Sequence, residues 1–439
     1  MRKKIVIVGA GVAGLSCAYH LDGDYELYEK EGEPGGLCRS CTSQGFTFDF
    51  AGHLLHFKTD YGAHLVKKLL GDNIAHHERH SYVYLNNRFS PYPFQVNTYR
   101  LPRPIIKDCL LGFISKDTAN GNNDAENFYD WMMKSFGAGV VKHFMLPYNK
   151  KFWRLHPRHL NCEWLNGKIP VPSASESIAG AFLQTKKPWG YNARFWYPKK
   201  GGIASLVRAF TEHVRAPQCN HEVRRIDLKK RLLVFSNNRA VAFDALVLTL
   251  PLAALGSLLH PLPSSVRGAV QKLNYISIIN YNLGIRRQRF KRKHWVYYPQ
   301  DKFLFYRIGS FSSFSHTAAP RGQTALYTEI SEHRRTHAYS EQSAKKRIEN
   351  DLARLNIIRG EGDILARVFN RIKYGYIVYD RFYSKSRQEV VDFLRSNKIY
   401  PVGRFGSWRY LTMEESILDG KHAAEQLNRA KSLTPYRPR

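Results

Sequence analysis

Cysteine, acidic residues and long apolar runs are all scarce in this chain. Its six cysteines, at positions 17, 38, 41, 109, 162 and 219 of 439, follow no regular spacing. That excludes the disulfide framework of a small secreted scaffold and favours a reducing, cytoplasmic compartment. Cys38 and Cys41 form one C-x-x-C, but no second Cys or His pair at metal-binding spacing accompanies it, so no metal is expected. Asp and Glu number 36 against 67 Lys and Arg, a formal charge of +31. An excess of that size attracts anionic ligands, or an anionic membrane surface to which the chain could bind peripherally. The longest internal apolar stretch, Ala245 to Pro263, is broken by Pro251 and carries His260, and no segment reads as membrane-spanning. Repeats and low-complexity tracts are absent. With 43% hydrophobic residues, the length suits about two to four globular domains.

The N-terminus starts with Met1-Arg2-Lys3-Lys4 and an apolar run to Ala18, which imitates a secretory leader. Gly9, Gly11 and Gly14 argue otherwise. They stand at G-x-G-x-x-G spacing directly after a strand over Ile5 to Val8 and open a helix over Ala13 to Leu21. A second strand over Tyr25 to Glu29 completes a βαβ unit and puts a carboxylate 20 residues past Gly9, where it can accept hydrogen bonds from an adenosine ribose. Glycines in this turn let a pyrophosphate approach the backbone at the helix N-terminus.

From about residue 60 to 190 the pattern is largely helical, with a surface loop at Asn120 to Asn123. Strands return near Phe195, around Val223, at Leu232 to Phe235 and at Ala245 to Thr249, and a Gly201-Gly202 turn leads into a helix that ends near His213. Residues 274 to 330 alternate in the manner of antiparallel strands, and a helix follows over Ser343 to Leu355. The expected architecture is α/β: a discontinuous Rossmann-like dinucleotide domain (1–58, 195–265 and 396–430), a mainly helical insertion (59–194), an antiparallel-sheet domain (266–395) and a basic tail (431–439). The densest basic run, Arg286 to His294, is expected to be a hairpin loop of that sheet. No nucleic-acid-binding fold accompanies it, so no nucleic-acid partner is expected.

A second backbone-rich turn, Gly35-Gly36-Leu37-Cys38-Arg39-Ser40, follows Glu29 closely. This pairing resembles the flavoprotein superfamily that includes the amine oxidases, which implies FAD as cofactor. Gly36 and Arg39 would join Gly9, Gly11, Gly14 and Glu29 in holding it, with Val223 on the strand beside the adenine and Gly403, Arg404 and Met413 in the closing motif. Thr412-Met413-Glu414-Glu415 has the form of a capping box opening a helix, whose N-terminus can stabilise negative charge on a reduced flavin.

The inserted parts carry a closer resemblance. Ser90-Pro91-Tyr92-Pro93-Phe94-Gln95, Pro147-Tyr148-Asn149-Lys150-Lys151-Phe152-Trp153, Trp189-Gly190-Tyr191-Asn192-Ala193-Arg194-Phe195, Trp295-Val296-Tyr297-Tyr298-Pro299, Phe305-Tyr306-Arg307, Tyr374-Gly375-Tyr376 and Gly403-Arg404-Phe405-Gly406-Ser407-Trp408-Arg409-Tyr410 fall in the order of the UDP-galactopyranose mutase family. The chain resembles that family over nearly its whole length. The resemblance implies that Tyr92, Phe94, Gln95 and Tyr297 hold uridine and that Trp153 and Asn192 border the sugar or diphosphate. Arg307, Tyr376 and Tyr410 would bind the diphosphate, and Gly52 and His53 would lie beside the flavin ring. It further implies a reduced flavin whose N5 attacks the anomeric carbon, with His53, Arg307 and Lys168 assisting and NADPH or NADH as the reductant. A guanidinium fork and phenol donors suit a diphosphate.

Two positions depart from that family. Lys168 replaces an arginine, keeping the charge but losing the bidentate fork. Glu414 replaces an asparagine, and a carboxylate facing a diphosphate would repel it. The flavin motifs alone equally permit a net redox enzyme of the amine oxidase superfamily or a catalytically silent FAD-binding protein. Which sugar nucleotide is bound, and the oligomeric state, are left open.

Overall fold

The computed structural model describes residues 4–116, 125–165, 167–185, 187–190, 192–334 and 339–432. The Asn120 to Asn123 loop and the tail from residue 433 onward lie outside the described residues. Strand Ile5–Val8 is buried along its whole length, as an apolar, largely β-branched run in the middle of a parallel sheet must be. It pairs in parallel with Tyr25–Tyr28 on one side and Ala245–Leu248 on the other, and Ile399–Pro401 completes the four-stranded sheet. Segments almost 400 residues apart therefore share one sheet. Helix Val12–His20 packs against the C-terminal helix Met413–Ser432, and Gly420 permits the approach, since a Cβ there would lie 2.3 Å from the Ala13 carbonyl oxygen.

A second sheet is ordered Ala240–Ala242, Leu232–Phe235, Val223–Asp227 and Leu259–His260. The segment 59–194 contains helices Asp60–Leu70, Arg103–Ile114, Phe128–Val140, Leu146–Trp153 and Ala174–Phe182. Three strands there differ from the helical expectation, the first being Ala75–Glu78, which pairs with Arg194–Tyr197. Ser81–Leu85 and Arg88–Pro91 form a hairpin through Asn86 and Asn87, which both adopt positive φ, 48° and 60°. Buried and partly buried positions alternate along Ser81–Leu85, the two-residue period of a strand, and asparagine tolerates the left-handed turn.

That hairpin joins the large seven-stranded sheet, ordered Ile364–Val378, Asn274–Ile285, Thr324–His333, Arg307–Ser310, Trp295–Tyr297, Ser81–Leu85 and Arg88–Pro91. All its pairs are antiparallel except Trp295–Tyr297 with Ser81–Leu85. The basic run Arg286 to His294 is consequently not a hairpin loop. It joins Asn274–Ile285 to Trp295–Tyr297, and two other strands stand between them. Helix Tyr383–Ser396 also lies within the stretch expected to be sheet, packed against helix Ser264–Lys272 and strand Ile399–Pro401. Among the described residues no helix is long and apolar enough to cross a membrane.

Candidate active site

The two glycine turns lie against each other. Gly35 N–H donates to the Ala10 carbonyl at 2.9 Å, and Gly11 and Gly35 form a parallel bridge. Gly9 and Gly36 have φ of 97° and 57°, and a Cβ on Gly14 would fall 2.0 Å from the Gly9 oxygen. No side chain caps helix Val12–His20 at Gly11, so its first N–H groups remain available to an anion. The buried Glu29 carboxylate accepts from the backbone N–H of Ala10 (2.8 Å) and Glu31 (3.1 Å), one on each oxygen, which leaves each with a further lone pair. Arg39 lies over Phe50 and donates from Nε to the Gly36 carbonyl at 2.9 Å. The Val223 side chain faces the core, so only its backbone can border an adenine.

Gly403, at φ 79°, sits over Ala13, and its N–H donates to Asp419 at 2.7 Å. The closing motif is thereby fastened to the first turn. Arg404 follows, its guanidinium over Tyr376 (4.7 Å) and Tyr410 (4.5 Å). Its Nε and Nη2 are buried without a hydrogen-bond partner, as are His53 Nδ1 and Trp408 Nε1. Buried donors of this kind are costly unless a ligand satisfies them. The Asp49 to His53 loop is held in place by Ala51 at φ 67° and by Gly52, where a Cβ would strike the Tyr327 hydroxyl at 2.4 Å. Burial pushes the His53 imidazole down to about 4, with Arg404 adding to the effect, so it is neutral at pH 7. Thr412 and Glu415 cap helix Met413–Ser432 reciprocally, at 2.7 and 3.2 Å, and Met413 packs its sulfur on Cys38. Glycine turns, a carboxylate held at the end of the second strand, unpartnered cationic donors and a capped helix N-terminus, tied together by Gly403 on Ala13 and Met413 on Cys38, form a cradle that fits a flavin dinucleotide.

Beside that cradle lies a cavity walled by aromatic rings. Tyr92 and Tyr297 meet in its lining with ring centroids 5.1 Å apart, and Tyr148 and Tyr297 at 5.2 Å; Tyr376, outside the lining, packs on two rings within it, Phe152 at 4.8 Å and Tyr410, stacked, at 5.8 Å. Burial raises Tyr92, Tyr297 and Tyr376 above the usual phenol range, so they stay protonated as donors. Gln95, Trp153, Asn192 and Lys168 complete the wall. Gln95 donates from Nε2 to the Pro170 carbonyl at 2.7 Å, while its Oε1 is buried and unpartnered. Lys168 donates to the Trp164 carbonyl at 3.1 Å and lies 4.7 Å from the centre of the Tyr410 ring; burial lowers its pKa. The inner cavity is only about 140 Å³, below the ~300–1,000 Å³ of typical small-molecule sites. Trp164, Lys168 and Tyr410 also wall an outer cleft of about 640 Å³, and the two together reach that range.

Three expectations change on contact with this geometry. Phe94 is fully buried and stacks on Phe144 behind the wall, not in it. The Arg307 fork does not open into the cavity unoccupied: it is engaged by Glu329, with Nε to Oε2 at 2.9 Å and Nη2 to Oε1 at 2.7 Å. Glu414 lines neither the cavity nor the outer cleft. It is buried under helix Asp60–Leu70, accepting from Lys58 N (2.7 Å), Thr59 N (2.9 Å) and Thr59 Oγ1 (2.6 Å), so the expected repulsion does not arise.

Two side chains went unnoticed in the sequence. Arg79 lies over the Tyr92 ring at 4.9 Å and donates to Asn192 Oδ1 and to the Trp189 carbonyl. Glu329 binds Arg307 and Tyr306 and reaches Gly52 N at 3.4 Å. An acid in a strand otherwise buried end to end was the available signal for Glu329; nothing marked Arg79.

The chain was compared with known proteins. A crystal structure of reduced UDP-galactopyranose mutase superposes with a TM-score of 0.91 at 26% identity, covering 99% of this chain and 96% of that one. A provisionally assigned protoporphyrinogen oxidase from Exiguobacterium sp. 255-15 shares the fold, with a TM-score of 0.77 and 15% identity over 98% and 99% of the two chains. The profile of the flavin-containing amine oxidoreductases matches residues 12–428. Sequence profile, fold and cradle agree: the chain is a flavoenzyme that belongs to the flavin-containing amine oxidoreductase family.

Proposed function

We propose that this enzyme is an FAD-dependent nucleotide-sugar mutase interconverting UDP-galactopyranose, or a related UDP-sugar, with its furanose form for cell-surface glycan synthesis. The observation that carries this reading is the shared wall between the flavin cradle and the phenol-lined cavity. Tyr410 lines that cavity, and its ring meets both the Arg404 guanidinium at 4.5 Å and the Tyr376 ring at 5.8 Å. The likeness to a reduced UDP-galactopyranose mutase supports it.

The chemistry supplied by a bound reduced flavin is nucleophilic attack on the anomeric carbon, with no net redox change. The chain's own residues position the sugar nucleotide. Tyr92 and Tyr297 offer aromatic faces to uracil, worth ~1–3 kcal/mol per stacked base. Gln95 Oε1, an acceptor held in that orientation by the Pro170 carbonyl, matches the imide N–H of uracil, where cytosine offers no proton. Lys168 and Tyr410 supply positive charge and a phenol for the diphosphate, and the buried indole N–H groups of Trp153 and Trp164 are further donors. Arg307 acts with Glu329 as a fixed pair, and His53 stays neutral beside the flavin ring. NADPH or NADH would keep the flavin reduced in a cytoplasmic setting.

Membership of an amine oxidoreductase family favours one rival, a net two-electron oxidation of an amine or a ring. Incubating dithionite-reduced protein with UDP-galactopyranose decides between them. Formation of the furanose without net flavin oxidation is expected. Failure to convert any UDP-sugar, together with oxygen consumption on an amine substrate, would establish the rival.

A further inference from the structure

Five of the large apolar side chains left exposed among the described residues lie on, or at the end of, two helices. Leu111 (55% exposed) and Ile114 (66%) lie three residues apart on Arg103–Ile114, while Ile178, Phe182 (72%) and Leu183 (71%) mark the outer face and end of Ala174–Phe182. The helices pack against each other. Tyr99 adds a tie, its N–H donating to the Gly180 carbonyl at 3.1 Å and its hydroxyl to Gln184 at 3.1 Å. Single exposed apolar residues are ordinary, but a cluster like this marks an interaction surface.

The accompanying charge indicates what covers it. Arg103 and Lys107 are exposed on the first helix and Arg100 is exposed just before it. The acids of these helices are already engaged: Asp108 by Lys142 (3.0 Å) and His143 (2.9 Å), and Glu176 by Lys187 (2.7 Å). Exposed apolar and exposed basic side chains thus share these helices, on a chain of net charge +31. A second copy would bring like charges together, whereas an anionic bilayer complements the basic side chains and takes the apolar ones into the headgroup boundary.

We infer that the face formed by Leu111, Ile114, Ile178, Phe182 and Leu183 docks the enzyme peripherally on an anionic lipid surface. The test is co-sedimentation of the full-length, FAD-loaded protein with vesicles of phosphatidylcholine alone and of phosphatidylcholine mixed with phosphatidylglycerol. Binding to the mixed vesicles only, weakened by salt, is expected. Phe182→Ser with Leu183→Ser should reduce it by about tenfold or more, with flavin absorbance unchanged. Arg103→Gln with Lys107→Gln, on an exposed helical face where folding is not at stake, should reduce it about fivefold per cation. Absence of binding by the unaltered protein, or binding undiminished in both variants, would overturn the inference. So would a dimer in sedimentation velocity that Phe182→Ser with Leu183→Ser separates while vesicle binding is absent.

Discussion

Arg307 and Glu329 are register partners on adjacent antiparallel strands, and their side chains close a two-point ion pair at 2.9 and 2.7 Å beside the flavin loop. Glu329 is almost wholly buried. The pair therefore couples the stability of the seven-stranded sheet to the integrity of the site, and Arg307 cannot be altered as an independent ligand contact.

Arg307→Ala should cost ~3–5 kcal/mol in urea denaturation, because it leaves the Glu329 carboxylate buried and unpaired. Adding Glu329→Gln should recover part of that loss without restoring UDP affinity. A single variant as stable as the unaltered protein would show that water reaches Glu329 and that the pair is dispensable.

Glu414→Ala should destabilise by about 1–3 kcal/mol, since Lys58 N–H, Thr59 N–H and the Thr59 hydroxyl lose their common acceptor. UDP binding, followed by tryptophan quenching of the reduced protein, should be unaffected. A clear gain in UDP affinity would instead put that carboxylate close to the diphosphate.

Gly14→Val should abolish retention of FAD. Its Cβ would lie 2.0 Å from the Gly9 oxygen, forcing apart the turn that offers N–H groups to the pyrophosphate. A colourless purified variant with unchanged far-ultraviolet dichroism is expected; a yellow one would remove the turn from the cofactor site.

Burial holds His294 down at about 3, with His77 and His80 adding to the effect, and His53 and His56 at about 4. Their folded values lie below the ordinary imidazole value near 6.5, so each favours the fold while neutral. That contribution is complete above pH 6.5 and is lost as pH falls toward about 4. Asp49, raised to about 6 by burial, acts in the opposite sense, gaining stability as pH falls through 6. The melting temperature should nevertheless drop between pH 7 and pH 5, because three groups oppose one. His294→Asn, which can still accept from His80 N–H as Nδ1 does at 2.9 Å, should show a shallower drop. Parallel curves for the two proteins would mean that His294 titrates normally.

The nucleotide-binding turn was legible because it is local. Gly9, Gly11, Gly14 and Glu29 span two strands and one helix, and backbone conformation over so short a stretch follows from the residues in it. The Thr412 and Glu415 capping box was legible for the same reason. The Ser81–Leu85 hairpin carried a local signal as well, its alternation and its Asn86-Asn87 turn, which the helical character of the surrounding segment concealed. Tyr92, Tyr297, Tyr376 and Tyr410 could be grouped only through resemblance to a family, since more than 300 residues separate the first from the last.

By itself the sequence determined the dinucleotide turn, the α/β order and the large positive charge, since these depend on neighbouring residues or on composition alone. The tertiary structure alone decided that Arg307 faces Glu329, that Glu414 turns toward helix Asp60–Leu70, and that Arg79 lies over Tyr92. Strand register and helix packing aim those side chains, and both are set by burial and hydrogen bonding among segments remote in the chain.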